Sequence, residues 1–262
     1  MKDWCDSRRL QLNSSKTEII WFASKTNHAK LKHHELSLRL NGSVVEPATV
    51  VKDLGAYLDQ ELNLRIHVAK ISASCYFHLR RLRQLRYIAT SSTMQTLVSS
   101  IILTRLDYCN ALLAGLPKST LAPLTRILHA AIRLVANLPY DGSVSKALRE
   151  RHWLPVDYRI GYKLCLMMHA VVHGRAPSYI CDLVVPLATM KNRERLRSHS
   201  SGDYDVPRVR TLFGSRAFSV AGPVAWNQLP TNLRTVAPVE NFKSKLKTYL
   251  FEIAYNCHPK SH

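Results

Sequence analysis

Hydrophobic positions along the chain change their spacing twice, at about residue 62 and again at about residue 184. Before residue 62 the pattern turns over every few positions. Residues 1–12 read as a helix that stops in the polar Asn13-Ser14-Ser15. Glu18-Ile19-Ile20-Trp21-Phe22-Ala23 is a compact apolar run rich in β-formers, which predicts a strand. Leu36-Ser37-Leu38-Arg39-Leu40 alternates strictly and meets Asn41-Gly42, a strong short signal for a hairpin, with Ser43-Val44-Val45 as the returning strand. Residues 49–55 predict one more short strand.

Between 62 and 183 the spacing is helical. Ile66, Ala69, Ala73 and Phe77, then Leu82, Leu85 and Ile88, predict a helix over 62–88. Ser91-Ser92 reads as a cap for a second helix over 93–113, stopped by Gly115-Leu116-Pro117. A third helix is expected over 121–138 and a short one over 144–151. Pro155 suits a helix start, and 156–172 read as a strong helix ending at Gly174. Residues 177–183 add one or two turns. The polar stretch 184–205 reads as a loop, 206–218 as β-like, 220–229 as an apolar segment and 239–255 as a final helix. No period of 20–50 residues marks a repeat array. The expected fold class is α+β, mostly α: a small N-terminal β-hairpin part, a helical bundle and a mixed C-terminal region.

Composition adds a sign to this picture. The 262 residues are 46% hydrophobic and 21% charged, a globular balance that excludes a disordered chain. Lys and Arg number 37 against 18 Asp and Glu, a formal charge of +19. Such an excess points to a polyanionic partner, nucleic acid first and an anionic membrane surface second. The charge is unevenly placed: +2 over 1–60, +8 over 61–138, +2 over 139–190 and +7 over 191–262. No apolar run reaches the 18 residues of a transmembrane helix, and residues 1–16 lack the apolar core of a secretory signal. The expectation is an intracellular protein, of unspecified compartment, with no membrane partner. Six scattered Cys without a CxxC pair read as reduced thiols, and neither GxGxxG nor GxxxxGK[ST] occurs, so no dinucleotide or P-loop cofactor is expected.

Candidate chemistry follows the charge. Arg80, Arg83 and Arg86 recur at i, i+3 and i+6, with Arg81 beside them, and no acidic residue stands between Glu61 and Asp107. On a helix they form a basic stripe suited to phosphate oxygens, with Phe77, Leu82, Leu85 and Ile88 expected on the other side. Lys191, Arg193, Arg195 and Arg197, then Arg208 and Arg210, form a second basic stretch that either wraps a polyanion or stays unstructured. Lys243, Lys245 and Lys247 flank the apolar stripe Phe242, Leu246, Leu250 of a docking helix. Cys165, His169 and His173 fall at i, i+4 and i+8, but eight residues rise about 12 Å along a helix, too far for three ligands on one ion. They read as packed helix residues, and no metal is expected. Trp153 and Trp226 read as core anchors. Nothing marks Cys109, beside Asp107, as a nucleophile, and the scattered carboxylates give no two-metal pair.

The order of motifs resembles a known family. Trp4, Leu10, Leu12, Asn13, Lys16 and Thr17 fit the pattern W-x(5)-L-x-L-N-x-x-K-T that follows the catalytic loop in reverse transcriptases of LINE-like, non-LTR retrotransposons. Residues 52–59, Lys-Asp-Leu-Gly-Ala-Tyr-Leu-Asp, resemble that family's next palm motif, whose Leu-Gly turn helps grip the primer strand. Residues 100–117, containing Arg105-Leu106-Asp107-Tyr108-Cys109-Asn110, resemble a long stretch of jockey-like elements. His152-Trp153-Leu154-Pro155-Val156 with Arg159-Ile160 is similar to their H-W-L-P-V-x-x-R-I motif. Val206-Pro207-Arg208, residues 217–223, Trp226-Asn227, Leu229-Pro230 and residues 242–251 resemble their C-terminal tail.

The resemblance covers essentially the whole chain and implies a division. Residues 1–60 would be a palm remnant, 61–138 a helical thumb-like region and 139–190 a helical C-terminal region. Residues 191–262 would hold a basic loop, a short β-like segment and the final helix. The family's catalytic carboxylates and its endonuclease would both fall before Met1, which resembles the Met of an internal Trp-Met pair. The implied protein is therefore a non-catalytic fragment resembling an RNA-directed DNA polymerase, carrying no catalytic residue. Its expected partners are RNA, DNA or an RNA–DNA hybrid, held through the backbone by Arg80, Arg81, Arg83, Arg86, Leu54, Gly55 and Lys16. A complete polymerase supplied in trans is a further expected partner. The alternatives are a helical protein-interaction module and a translated relic without selected function.

Overall fold

The computed structural model describes residues 2–11, 13–31, 36–40, 42–139, 141–190 and 202–255. The fold is α+β and mostly α, with two small antiparallel hairpins near the N-terminus. Two compact units divide the chain, Met1–Ala69 and Lys70–His262. Among the described residues, no helix is long and apolar enough to cross a membrane.

The first unit holds helices α1 (Lys2–Ser7) and α2 (Lys25–Leu31), the strand pair β1 (Leu38–Leu40) and β2 (Ser43–Val45), and the pair β3 (Val50–Asp53) and β4 (Ala56–Asp59). Leu38 faces Val45 across the first hairpin and Val50 faces Asp59 across the second. The first is the hairpin expected at Asn41-Gly42; Asn41 itself lies outside the described residues, and Gly42 takes φ 82°. The strand β4 goes beyond the sequence expectation, which closed at Gly55. The strand expected at 18–23 is corrected: only a single parallel bridge, Ile19 to Pro47, forms there, with Ala48 N–H donating to the Ile19 carbonyl at 2.7 Å. A run of β-formers becomes a strand only when a partner edge runs beside it, and here the segment meets its neighbours at two separate points, the second being the Ala23 N–H donating to the Gln60 carbonyl at 3.1 Å.

A polar clamp ends this unit. Asp59 is buried, and its carboxylate accepts the N–H groups of Asn63 at 3.0 Å and Leu64 at 2.8 Å. Leu62 and Leu64 both sit at positive φ, 49° and 57°, so the carboxylate stabilises a turn that those residues disfavour. Helix α3 (Arg65–Gln84) starts immediately after it and passes into the second unit. His67, fully buried on α3, accepts the Tyr57 N–H at 3.3 Å through Nδ1, and burial lowers its pKa.

The second unit is helical. After α3 come α4 (Ser91–Val98), a π-helical turn Ser99–Leu103 and α5 (Thr104–Asp107). They are followed by α6 (Lys118–Val135), α7 (Val144–Glu150), α8 (Val156–Val172) and α9 (Ser178–Cys181). The last helices are α10 (Phe218–Asn227), α11 (Thr231–Arg234) and α12 (Val239–Ala254). Helices α6, α7, α8 and α12 fall close to where their periodicity placed them. The helix expected over 93–113 is interrupted. Thr90, rather than Ser91 or Ser92, caps it by accepting the Thr93 N–H; the π-turn widens its middle; and Cys109 at φ 53° breaks it. The β-like stretch 206–218 contains no described strand: it ends in a 3-10 turn, Gly214–Arg216, and Val209, Leu212 and Phe213 are exposed.

Helix α6 buries Leu121, Leu124, Ile127, Leu128, Ala131, Ile132 and Val135, a wide apolar face that packs on α4, α7 and α8. Helix α8 packs in turn on α10 and α12. Gly222 permits the closest approach: a Cβ there would stand 2.9 Å from Met168 Sδ and 2.9 Å from the Phe218 ring. Trp226, Phe242, Leu246 and Met168 fill the interior below it, and Trp153 is buried as expected. His169 stacks on Phe242 with centroids 4.0 Å apart. Its Nδ1 receives Arg175 at 3.2 Å, so Nε2 carries the proton and donates to the Val236 carbonyl at 2.7 Å. Burial lowers the His169 pKa and raises the Cys165 thiol to about 12. Among the described residues, no group of three or more His, Cys, Asp or Glu side chains is placed to hold a metal ion.

The long motifs meet at side-chain pins. Arg159 Nη1 spans both Asp107 oxygens at 2.9 and 2.7 Å, and its Nε donates to the Leu154 carbonyl at 2.9 Å. Asn227 donates to the Tyr204 carbonyl at 2.8 Å and accepts the Tyr204 N–H at 3.0 Å, and Tyr255 Oη donates to the Trp153 carbonyl at 2.6 Å.

Candidate nucleic-acid interface

Helix α3 carries Arg65, Lys70, Arg80, Arg81 and Arg83 and no acidic residue in twenty positions. Its buried face is Val68, Ser72, Cys75, Leu79 and Leu82. This corrects the expected facing: Ile66, Ala69, Ala73 and Phe77 lie on the exposed side, as do Leu85 and Ile88 beyond the helix end. Two apolar series share the helix, and of the expected one only Leu82 is buried, together with Val68, Ser72, Cys75 and Leu79.

Arg80, Arg81 and Arg83 are all exposed on the last turns of α3, where the helix C-terminus favours cations. Arg86 departs from the expected stripe. The helix stops at Gln84, and residues 85–89 continue as tight turns, with Leu85 N–H donating to Leu82 O and Ile88 N–H to Leu85 O. Arg86 is exposed on those turns and lies beside a shallow cavity of about 260 Å³ that Tyr87, Ser91 and Met94 also line. Aromatic surface is interleaved with the cations. The Arg81 guanidinium lies 5.7 Å from the Phe77 ring centre, Tyr76 and Phe77 are half exposed, and Tyr87 is 93% exposed. Guanidinium groups beside open aromatic rings offer a polynucleotide both phosphate contacts and stacking surface.

The remaining expected contacts lie in the first unit. Leu54 and Gly55 form the two-residue connection between β3 and β4, at φ 43° and 89°, and the Leu54 side chain is 84% exposed. Two consecutive positive φ values make the tight turn that suits a hairpin's twist. A leucine there pays steric strain and recovers no burial. Lys16 is exposed at the end of the 3-10 turn Ser14–Lys16. Of the second basic stretch, Lys191, Arg193, Arg195 and Arg197 lie outside the described residues, while Arg208 and Arg210 are exposed on irregular chain. Phe242, Leu246 and Leu250 form the buried stripe of α12, with Lys243 paired to Glu240 at 2.8 Å.

A set of residues that periodicity did not single out gathers elsewhere in the second unit: Asn110, Arg151, Lys163 and Lys247 line one cleft. The local signals were Asn110 within the 100–117 motif and Lys247 beside the apolar stripe of the final helix. The partners of Asn110 come from three separate helical segments. No protein-family model, no curated protein and no solved structure matches this chain.

Proposed function

We propose that the chain is a non-catalytic nucleic-acid-binding protein of reverse-transcriptase descent, gripping the backbone of RNA, DNA or their hybrid through the end of α3. The observation that carries this reading is the acid-free helix α3, which sets Arg80, Arg81 and Arg83 in solvent beside Phe77, with Arg86 and Tyr87 just beyond. A face that is merely solvated mixes its signs; this one does not. The motifs that resemble those of retrotransposon reverse transcriptases contain none of that family's catalytic carboxylates, so no catalytic step is assigned to this chain. In this reading, exposed Leu54 at its strained turn and Lys16 supply further backbone contacts from the first unit.

Backbone binding of this kind is read in its salt dependence. Four neutralised phosphates give a log–log slope of about −4 on a duplex. The test is fluorescence anisotropy of a labelled RNA–DNA hybrid titrated with the full chain across a salt series. Changing Arg80, Arg81, Arg83 and Arg86 together to Gln flattens the slope and weakens all sequences alike. A slope unmoved by those four changes overturns the reading, and Mg²⁺-dependent primer extension by the chain overturns its non-catalytic part.

A second reading has its own observation. Tyr87 and Ile88, both more than four-fifths exposed at the end of α3, form apolar surface of the kind that seats on a protein partner such as a complete polymerase. Replacing Ile88, which has no ring to stack on a base, with Ser separates the two readings: nucleic-acid affinity is unchanged under the first, and polymerase co-migration is weakened under the second.

A further inference from the structure

Away from α3, a cleft of about 430 Å³ opens in the second unit, within the size range of small-ligand sites. Three helical segments each bring it a cation: Arg151 at the end of α7, Lys163 on α8 and Lys247 on α12. A fourth cation, Arg159, is neutralised by Asp107, the one carboxylate on the lining. The Asn110 amide braces that pair, its Nδ2 facing Asp107 Oδ1 at 3.5 Å and the Arg159 carbonyl at 3.4 Å. Glu240, which acts on Tyr162 of the same wall, is likewise paired, with Lys243 at 2.8 Å. Lys163 and Lys247 pair with no carboxylate among the described residues. With His152 counted as neutral, the lining sets four cations against one carboxylate.

Arg151 is held in place rather than neutralised. Its Nη1 donates to Gln95 Oε1 at 2.6 Å and its Nη2 to Ser91 Oγ at 3.2 Å, both uncharged. Neutral partners fix the plane of a guanidinium without cancelling its charge, and they use two of its five N–H donors. Such a fork is preorganised for further oxygens. The two lysines add three donors each. The cleft therefore offers donors and positive charge from three sides, and the group that fits brings acceptors and more than one negative charge. A carboxylate brings one charge and two oxygens. A phosphate monoester brings about 1.5 to 2 charges and three terminal oxygens. Leu103 and Tyr162 add apolar and aromatic surface to the same lining, which seats the organic substituent of the ester.

We propose that this cleft binds a phosphate monoester, with Arg151, Lys163 and Lys247 on its terminal oxygens. Two sources share this chemistry, a small phosphorylated molecule and the terminal phosphate of a nucleic-acid strand. Ser91 gives the second a route: it holds Arg151 and also lines the 260 Å³ cavity beside Arg86, so the end of the α3 surface and the cleft share that residue.

The experiment is isothermal titration of the full chain in phosphate-free buffer at about 0.15 M salt, where exposed charges are screened. Phenyl phosphate is compared with benzoate, which has the same ring and a single charge. Expected is one site that binds phenyl phosphate at least about tenfold tighter than benzoate. Lys163→Gln with Lys247→Gln removes two charge-assisted hydrogen bonds and weakens phenyl phosphate at least about tenfold, with circular dichroism unchanged. Lys247→Glu, a single change at an exposed position, weakens it by a similar factor through repulsion. Lys245→Gln, exposed on α12 but outside the cleft, leaves it intact. A 5′-phosphorylated trinucleotide that binds more than about tenfold tighter than both phenyl phosphate and its own 5′-hydroxyl form identifies a strand end, and one no tighter than phenyl phosphate identifies a small monoester. Phenyl phosphate that binds no tighter than benzoate overturns the proposal, as does binding that survives both the Lys163/Lys247 change and Lys247→Glu. Because phenyl phosphate carries no strand, this site and the α3 reading, which is tested on the hybrid, fail separately.

Discussion

In the first unit Val45, Val51, Ala56, Leu64 and Val68 are buried, while Trp4, Trp21, Phe22, Leu38, Val44 and Leu54 remain exposed. In the second unit Ile127, Leu128, Met168, Trp226, Phe242 and Leu246 are almost completely enclosed. The difference follows from element length. Strands of three or four residues offer one or two inward positions each, and two such hairpins do not make a thick core. Helices of sixteen to eighteen residues, like α6, α8 and α12, each present a full stripe. The first unit compensates with polar pins, Asp59 and His67, whereas the second is held by packing and uses its pins, such as Arg159 on Asp107, at the junctions of helices.

The comparison is broken most sharply by core truncation. Phe242→Ala is expected to cost about 3–5 kcal/mol, against about 1.5 kcal/mol for Val51→Ala in the first unit. Urea unfolding gives the sizes, and hydrogen exchange by peptide shows which unit opens; equal losses would erase the distinction. Asp59→Ala comes next. It removes a charged acceptor from two backbone donors and is expected to cost about 1.5–3 kcal/mol, with protection lost first at the start of α3.

Acid acts on both units. Burial lowers the pKa of His67 in the first unit and of His129 and His169 in the second, below the ordinary value of 6.5. The unfolded chain therefore takes up protons first as pH falls. Stability present above about pH 6.5 is lost on descending toward the folded-state values. Urea midpoints measured from pH 7.5 to 5 should fall, and His169→Gln should flatten the decline in the second unit only. The smallest effect has the opposite sign. Leu54→Asn relieves a left-handed leucine that buries nothing and is expected to stabilise the first unit by about 1 kcal/mol, read as a raised melting temperature. A drop in hybrid affinity alongside that gain would mark Leu54 as kept for contact rather than for folding.

Much of this was legible in advance. Helix α8 was placed by Pro155 at one end and Gly174 at the other, and α12 by Phe242, Leu246 and Leu250, because capping and periodicity are local properties. The basic character of α3 was legible for the same reason. Its facing was legible only at Leu82: Ile66, Ala69, Ala73 and Phe77 match helical spacing as well as Val68, Ser72, Cys75 and Leu79 do, and only packing chose between them. The π-turn at Ser99–Leu103 and the break at Cys109 carry no glycine or proline to announce them.

By itself, then, the sequence determined the helical bulk of the chain, the hairpin at Leu38–Val45, and the sign and address of the charge. The tertiary structure alone decided which face of α3 meets solvent and that Arg86 stands past its end. It also decided that Asn110, Arg151, Lys163 and Lys247 share one cleft. The physical reason is range. Periodicity, caps and turns act within a few residues, whereas these four side chains meet only after the Asn110–Leu113 turn, the end of α7, α8 and α12 have packed.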